Sequence, residues 1–272
     1  MKTALASAVV LFAACGPGLP TEPLASDAVR CTDVEAHVSC VRQQLALPTR
    51  NVQWQTPRGE PPAAGWPAVV VFHGSFMGTK PFWDAKEGDD WGAYRAAQTT
   101  MALLERGYVV ITPESIHGGK WYWNTNVVGF ADNWSLGADS EMMPQLLDAI
   151  SEGKLGRVDT TRLYATGISS GGFMTSRMAI SYNGKFRALA IHSASYAKCS
   201  VTCSVPELPA DHPPTLLVHG EKDSIVPIST MRAYETKLKE QGLTVEALVD
   251  AERGHEWLPV AVTRIPDWFD GH

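Results

Sequence analysis

Two continuous strand-forming runs, Ala68-Val69-Val70-Val71-Phe72 and Tyr108-Val109-Val110-Ile111-Thr112, constrain this chain more than any other feature. A strand with one face in water alternates apolar and polar residues. Runs of β-branched residues without that alternation belong to strands buried on both faces. Shorter runs of the same kind follow at 163–166, 188–191, 215–218 and 245–249. Between them lie segments with apolar residues at helical spacing: 91–106, ended by Gly107; 139–152; 173–180; 229–241, ended by Gly242; and 257–269. Pro144 predicts a kink or late start in the second of these, and Pro266 a perturbation in the last. Strands alternating with helices predict the α/β class, with a mostly parallel central sheet covered by helices on both faces. In such sheets reactive groups gather at the carboxyl ends of the strands.

The chain has 272 residues, 44% of them hydrophobic, which suits one large core rather than two domains. Its net charge of -6, without Lys/Arg runs, excludes the electrostatic footprint of a nucleic-acid binder. Met1-Lys2 followed by the apolar run Ala4 to Ala14 is too short to span a bilayer and predicts an export signal over 1–14. The end of that run, Leu11-Phe12-Ala13-Ala14-Cys15, resembles a bacterial lipobox, with Phe12 where Leu is usual. Cys15 is thus a candidate lipid anchor, and plain signal cleavage is the alternative. Residues 16–30 read as a loose tether, with folding expected to begin near Cys31. The division expected is 1–14 signal, 15–45 exported arm and 46–272 a single catalytic domain. Beyond Cys15 there are four cysteines, for which three pairings exist; the local one, Cys31–Cys40 with Cys199–Cys203, is preferred and fits an oxidising compartment. No His or carboxylate cluster completes a metal site, so neither a metal nor a cofactor is expected.

Four motifs carry chemistry. Gly167-Ile168-Ser169-Ser170-Gly171 stands between a predicted strand and a predicted helix. That is the context of a nucleophile elbow, where small neighbours allow a serine to occupy a strained turn. Phe72-His73-Gly74-Ser75 follows the first buried strand. Its position predicts one oxyanion donor from the Ser75 N–H, with Phe76 a substitute, and Ser170 supplies the other. His73 itself is read as structural, bonding the loop backbone. In His219-Gly220-Glu221-Lys222-Asp223 the acid is Asp223, with Glu221 its competitor. Gly254-His255-Glu256-Trp257 supplies a histidine after the last strand. The order Ser169, Asp223, His255, each after a strand, is that of the α/β-hydrolase fold. A fifth feature is aromatic: Trp121, Trp123, Trp134 and Phe76 are candidates for substrate binding, against the alternative of rings packed over the edge of the core.

Gly167-Ile168-Ser169-Ser170-Gly171-Gly172, with Asp223 and His255 at these intervals, resembles the extracellular medium-chain-length polyhydroxyalkanoate depolymerases. The wider pattern, with His73-Gly74 and the Trp-containing centre, is similar to polyhydroxybutyrate depolymerase-like and feruloyl-esterase-like hydrolases. The resemblance spans about residues 50–270. It implies a secreted serine esterase whose partner is a water-insoluble polyester of 3-hydroxy fatty acids. It also implies that polymer adsorption falls to the catalytic domain's own apolar surface. A feruloyl or acetyl-xylan esterase, or a short-chain polyhydroxybutyrate depolymerase, is the alternative enzyme, and a non-catalytic surface lipoprotein the alternative to an enzyme.

Overall fold

The structure, a computed structural model, describes residues 26–116, 121–199 and 203–272. The expected signal over 1–14 and the candidate anchor Cys15 lie outside the described residues.

Eight strands form the main sheet. In chain order they are β3 (Gln43–Ala46), β4 (Asn51–Gln55), β5 (Trp66–Phe72), β7 (Val109–Pro113), β8 (Val158–Ile168), β9 (Ala188–His192), β10 (Thr215–Gly220) and β11 (Val245–Asp250). Across the sheet the order is β11-β10-β9-β8-β5-β7-β4-β3. Every pairing from β11 to β7 is parallel; β4 joins β7, and β3 joins β4, antiparallel. The unalternating runs are the central strands, as their composition requires. Side chains alternate across β5: Val69 and Val71 enter one core cluster, Ala68, Val70 and Phe72 the other.

Helices cover both faces. Elements α1 (Ala93–Glu105) and α5 (Ala261–Asp270) pack on the Val69–Val71 side. On the opposite side lie α2 (Ala138–Ser151), α3 (Ser170–Ser181) and α4 (Ile228–Glu240). Pro144 lies inside α2 and Pro266 inside α5. The helix expected over 257–269 starts only at Ala261, because His255 to Val260 form the loop that brings His255 to the sheet.

One boundary requires correction. Residues 31–45 are not an arm outside the domain. Strands β1 (Cys31–Val34) and β2 (His37–Cys40) form a small antiparallel sheet with β6 (Asp84–Lys86). Val38 and Cys40 are buried in the same cluster as Trp83 and α1, and β3 is the edge strand of the main sheet. The folded unit therefore takes in residues well before 46. Cysteines 31 and 40 are directly opposite in the β1–β2 register and are joined as a disulfide; Cys199 and Cys203 form the second.

Candidate active site

Strand β8 delivers Ser169 straight into α3, one residue later. Ser169 has φ 57 and ψ -123, a conformation that L residues avoid. Glycines make the turn sterically possible. A Cβ on Gly171 would lie 2.0 Å from the Phe72 carbonyl oxygen, and one on Gly167 would lie 2.6 Å from it. One on Gly172 would meet the Ala194 side chain at 2.5 Å. The turn is fastened by the Ser169 N–H to the His192 carbonyl and the Phe173 N–H to the Ser169 carbonyl, each at 3.0 Å.

Asp223 and His255 come from the loops after β10 and β11, which are adjacent and parallel. His255 Nδ1 lies 2.8 Å from Asp223 Oδ2. The other carboxylate oxygen accepts the N–H groups of Ile225 at 2.9 Å and Val226 at 2.8 Å. His219, wholly buried at the end of β10, places Nε2 3.2 Å from Asp223 Oδ2 and donates to the Val226 carbonyl at 2.9 Å. Burial alone would raise the Asp223 pKa. The hydrogen bonds from His219, His255 and Val226 outweigh it and hold the carboxyl well below the usual range. Glu221 points elsewhere, pairing with Arg232 at 2.7 Å on the surface.

Ser169 and His255 line one cavity of about 290 Å³, with Gly74, Ser75, Phe76, Met77, Trp91, Ile168 and Ile225. Trp91 stands edge-on to the His255 ring, centroids 5.9 Å apart. Its loop is clamped to the His255 loop by the Trp257 N–H on the Trp91 carbonyl at 2.9 Å. Ser169 also borders a wider cleft of about 550 Å³, bounded by Tyr122, Asn126, Val127, Phe173, Ser224 and Val226 among others. Ser75 and Ile225 border both spaces.

His73 is buried and structural. Its Nδ1–H donates to the Gly74 carbonyl at 2.7 Å, and Nε2 accepts the Ser115 N–H at 3.1 Å. Burial lowers its pKa to about 4, so the ring is neutral. Among the described residues no group of three or more His, Cys, Asp or Glu is arranged to hold a metal ion, and no helix is long and apolar enough to cross a membrane.

The aromatic candidates divide. Phe76 lines the cavity at 71% exposure with φ 63, and packs on Trp121 at 5.6 Å. Trp123 and Trp134 are corrections. Trp123 has no exposed surface: it packs edge-on against Phe72 and beside His73, inside the core. Its indole N–H donates to the His73 carbonyl at 2.9 Å and its backbone N–H to Ser170 Oγ at 2.8 Å. It thus ties together the two loops expected to supply oxyanion donors. Trp134 packs against Tyr182 and under the Arg177 guanidinium, away from the lining of either space. Sequence reasoning missed Met77 and Ile225 as lining residues and His219 as a partner of Asp223. Only the position of His219, four residues before Asp223 at a strand end, could have pointed to it.

Residues 109–270 match the phospholipase/carboxylesterase family model, more than half of the chain. The chain belongs to the phospholipase/carboxylesterase family. It is a carboxylic ester hydrolase of α/β-hydrolase fold. Over 244 residues, 87% of each chain, it is 41% identical to a poly(3-hydroxyoctanoate) depolymerase of Pseudomonas fluorescens. This family membership agrees with the resemblance carried by the Gly167–Gly172 motif. Among solved structures it is similar to an acetyl xylan esterase from Aspergillus awamori, with TM-score 0.61, 19% identity, and coverage of 85% of this chain and 99% of that one. A Bacillus cereus carboxylesterase gives TM-score 0.57 at 12% identity, covering 82% and 95%. At these identities the likeness speaks for the fold.

Proposed function

We propose that this esterase is exported and cleaves water-insoluble polyesters of medium-chain 3-hydroxy fatty acids, with Ser169, His255 and Asp223 as nucleophile, base and orienting acid. The observation that carries the substrate class is the 41% identity, over 87% of both chains, to a protein named poly(3-hydroxyoctanoate) depolymerase. The apolar rings of Phe76 and Trp91 beside Ser169 support it, since they suit an alkyl-bearing substrate. The signal-like residues 1–14 and two disulfides support export.

In the mechanism, His255 Nε2 takes the Ser169 hydroxyl proton as Oγ attacks an ester carbonyl. Asp223, bonded to His255 Nδ1–H, keeps Nε2 the basic nitrogen and stabilises the imidazolium. The N–H groups of Ser75 and Ser170 hold the oxyanion; loss of one such donor raises the barrier by about 3 kcal/mol. The alkoxide leaves with the proton from His255. Water, activated by the same ring, then releases the acid and regenerates Ser169.

The test is a hydrolysis panel with purified full-length protein. Suspensions of poly(3-hydroxyoctanoate) and poly(3-hydroxybutyrate) are followed by clearing, and methyl ferulate and acetylated xylan by product release. Fastest clearing of poly(3-hydroxyoctanoate) is expected. Ferulate or acetate release with no clearing of either polyester overturns the substrate class.

A further inference from the structure

We propose that His192 is a positioning residue that fixes the nucleophile turn and the base loop to each other. Its carbonyl holds the Ser169 N–H at 3.0 Å, and its ring holds the Leu258 N–H, in the loop of His255, at 2.9 Å. The proposal rests on the roles assigned to Ser169 and His255. It adds a residue with no exposed surface, which acts through both of them and touches no substrate.

The place of His192 makes this possible. It ends β9, which lies between β8, the strand that delivers Ser169, and β10, whose following loop carries Asp223. In the sheet it is level with Ile168 on one side and Val218 on the other. The elbow approaches it closely: a Cβ on Gly172 would lie 2.7 Å from the His192 carbonyl oxygen. The ring meets the other loop. It stacks on the Trp257 indole, with centroids 4.9 Å and planes 13° apart. Trp257 in turn donates its backbone N–H to the Trp91 carbonyl and its indole N–H to Thr99 Oγ1, each at 2.9 Å. A Cβ on Gly92 would lie 2.4 Å from the Trp257 carbonyl oxygen, so the 90–92 turn lies directly on that residue. His192 is thus linked to the nucleophile turn, the base loop and the Trp91 wall of the cavity.

The hydrogen bonds of the ring also fix its proton. A backbone N–H only donates, so Nε2, facing the Leu258 N–H, is unprotonated and the ring proton sits on Nδ1. Nδ1–H donates to Ser193 Oγ at 3.1 Å, and Ser193 Oγ–H donates to the Glu256 carbonyl at 3.4 Å, a second tie to the base loop. Ser193 makes these contacts at φ 46, a conformation that L residues avoid. Every donor in this chain of groups meets an acceptor. A proton on Nε2 would set donor against donor at Leu258. Burial, with His219 and His255 acting in the same direction, outweighs Asp223 and holds the ring well below the usual histidine range, which keeps it neutral. An apolar residue here would keep the packing and leave the buried Leu258 N–H without its acceptor.

The experiment compares two variants on a soluble p-nitrophenyl ester, with rates referred to the folded fraction. His192→Phe keeps a ring on Trp257 and removes the acceptor. His192→Gln removes the ring and restores an acceptor near the position of Nε2. His192→Phe is expected to lower kcat about 10- to 100-fold with KM within about twofold, because a shifted base loses alignment rather than substrate binding. His192→Gln is expected to recover kcat to within about fivefold of wild type. A kcat for His192→Gln no higher than that of His192→Phe, or a His192→Phe kcat within about twofold of wild type, overturns the proposal. Nitrogen-15 NMR of the wild-type protein tests the same contact without a substitution. The His192 ring is expected to stay protonated at Nδ1 alone from about pH 8 to about pH 5.5, where an ordinary histidine titrates. Protonation at Nε2 in that range overturns the proposal. The triad is tested apart by fluorophosphonate labelling of wild type. An adduct on a residue other than Ser169 overturns the triad and this proposal together, whereas an adduct on Ser169 with no rescue by His192→Gln overturns this proposal alone.

Discussion

The carboxylate of Asp223 lies 2.8 Å from His255 Nδ1, and its second oxygen is held by two backbone N–H groups of its own loop. The acid therefore has one orientation, set by residues 225 and 226, and His255 inherits that orientation. Asp223→Asn keeps the shape but replaces an acceptor with a group that can donate, favouring the wrong imidazole tautomer. A fall in kcat of about 10⁴-fold on a soluble p-nitrophenyl ester is expected, with an unchanged circular-dichroism spectrum. A fall of less than tenfold would remove Asp223 from the mechanism.

Trp123 bridges the His73 carbonyl and Ser170 Oγ, so it acts on the proposed oxyanion site from behind. Trp123→Phe removes the indole N–H and shrinks the buried ring while it leaves the backbone bond to Ser170. It is expected to reduce kcat about tenfold with KM within twofold, because a displaced donor loses transition-state rather than ground-state contacts. A changed KM with unchanged kcat would instead indicate direct contact with substrate.

The pH dependence of stability has a definite sign. Burial lowers the His73 pKa to about 4, against about 6.5 in an unfolded chain. The unfolded state therefore binds the proton first. The stability is complete above about pH 6.5 and is lost as pH falls toward 4, by about 3 kcal/mol for this residue. His192 and His212, also lowered chiefly by burial, act in the same direction. Asp223 adds a further loss below the ordinary carboxylate range, because its folded pKa is depressed. Urea denaturation is expected to show a lower midpoint at pH 4.5 than at pH 7.5. Equal midpoints would contradict neutral burial of these rings.

The elbow's glycines are a steric requirement. Gly171→Ala places a methyl 2.0 Å from the Phe72 carbonyl, on rigid backbone of β5. It is expected to cost about 3 kcal/mol or more. Gly254→Ala, whose Cβ would sit 3.5 Å from its nearest neighbour, is expected to change stability by less than about 1 kcal/mol. Thermal melts of the two variants make the comparison, and equal shifts would refute it.

The central strands and the places of Ser169, Asp223 and His255 were legible because each depends on local pattern: unbroken apolar runs, a small-residue pentapeptide, and turns at strand ends. The edge was not. Strands β1, β2 and β3 are short segments with exposed positions, such as Thr32, Asp33 and Ser39, and the partner that ties β1 and β2 to the domain, β6, lies far along the chain. Pattern alone reads 31–45 as an arm. The burial of Trp123 is hidden from the sequence for a related reason. Its neighbours Asn124 and Thr125 are polar and suggest a loop at the surface, yet both are buried. The Asn124 N–H bonds Asp139, and Thr125 bonds Arg177. Composition cannot distinguish a solvated polar residue from one whose partner arrives from a distant helix. Trp91 stands beside His255 in the cavity because the 90–92 turn is clamped to the loop after β11.

Ser169 as the nucleophile is the claim on which the rest depends. The direct measurement is fluorophosphonate labelling of the folded protein, with the modified residue identified by peptide mass spectrometry and ester hydrolysis of Ser169→Ala assayed in parallel. A single adduct on Ser169, with hydrolysis by Ser169→Ala reduced at least about 10³-fold and its thermal melt unchanged, is the predicted result. Labelling at another residue, or normal turnover by Ser169→Ala, would contradict it.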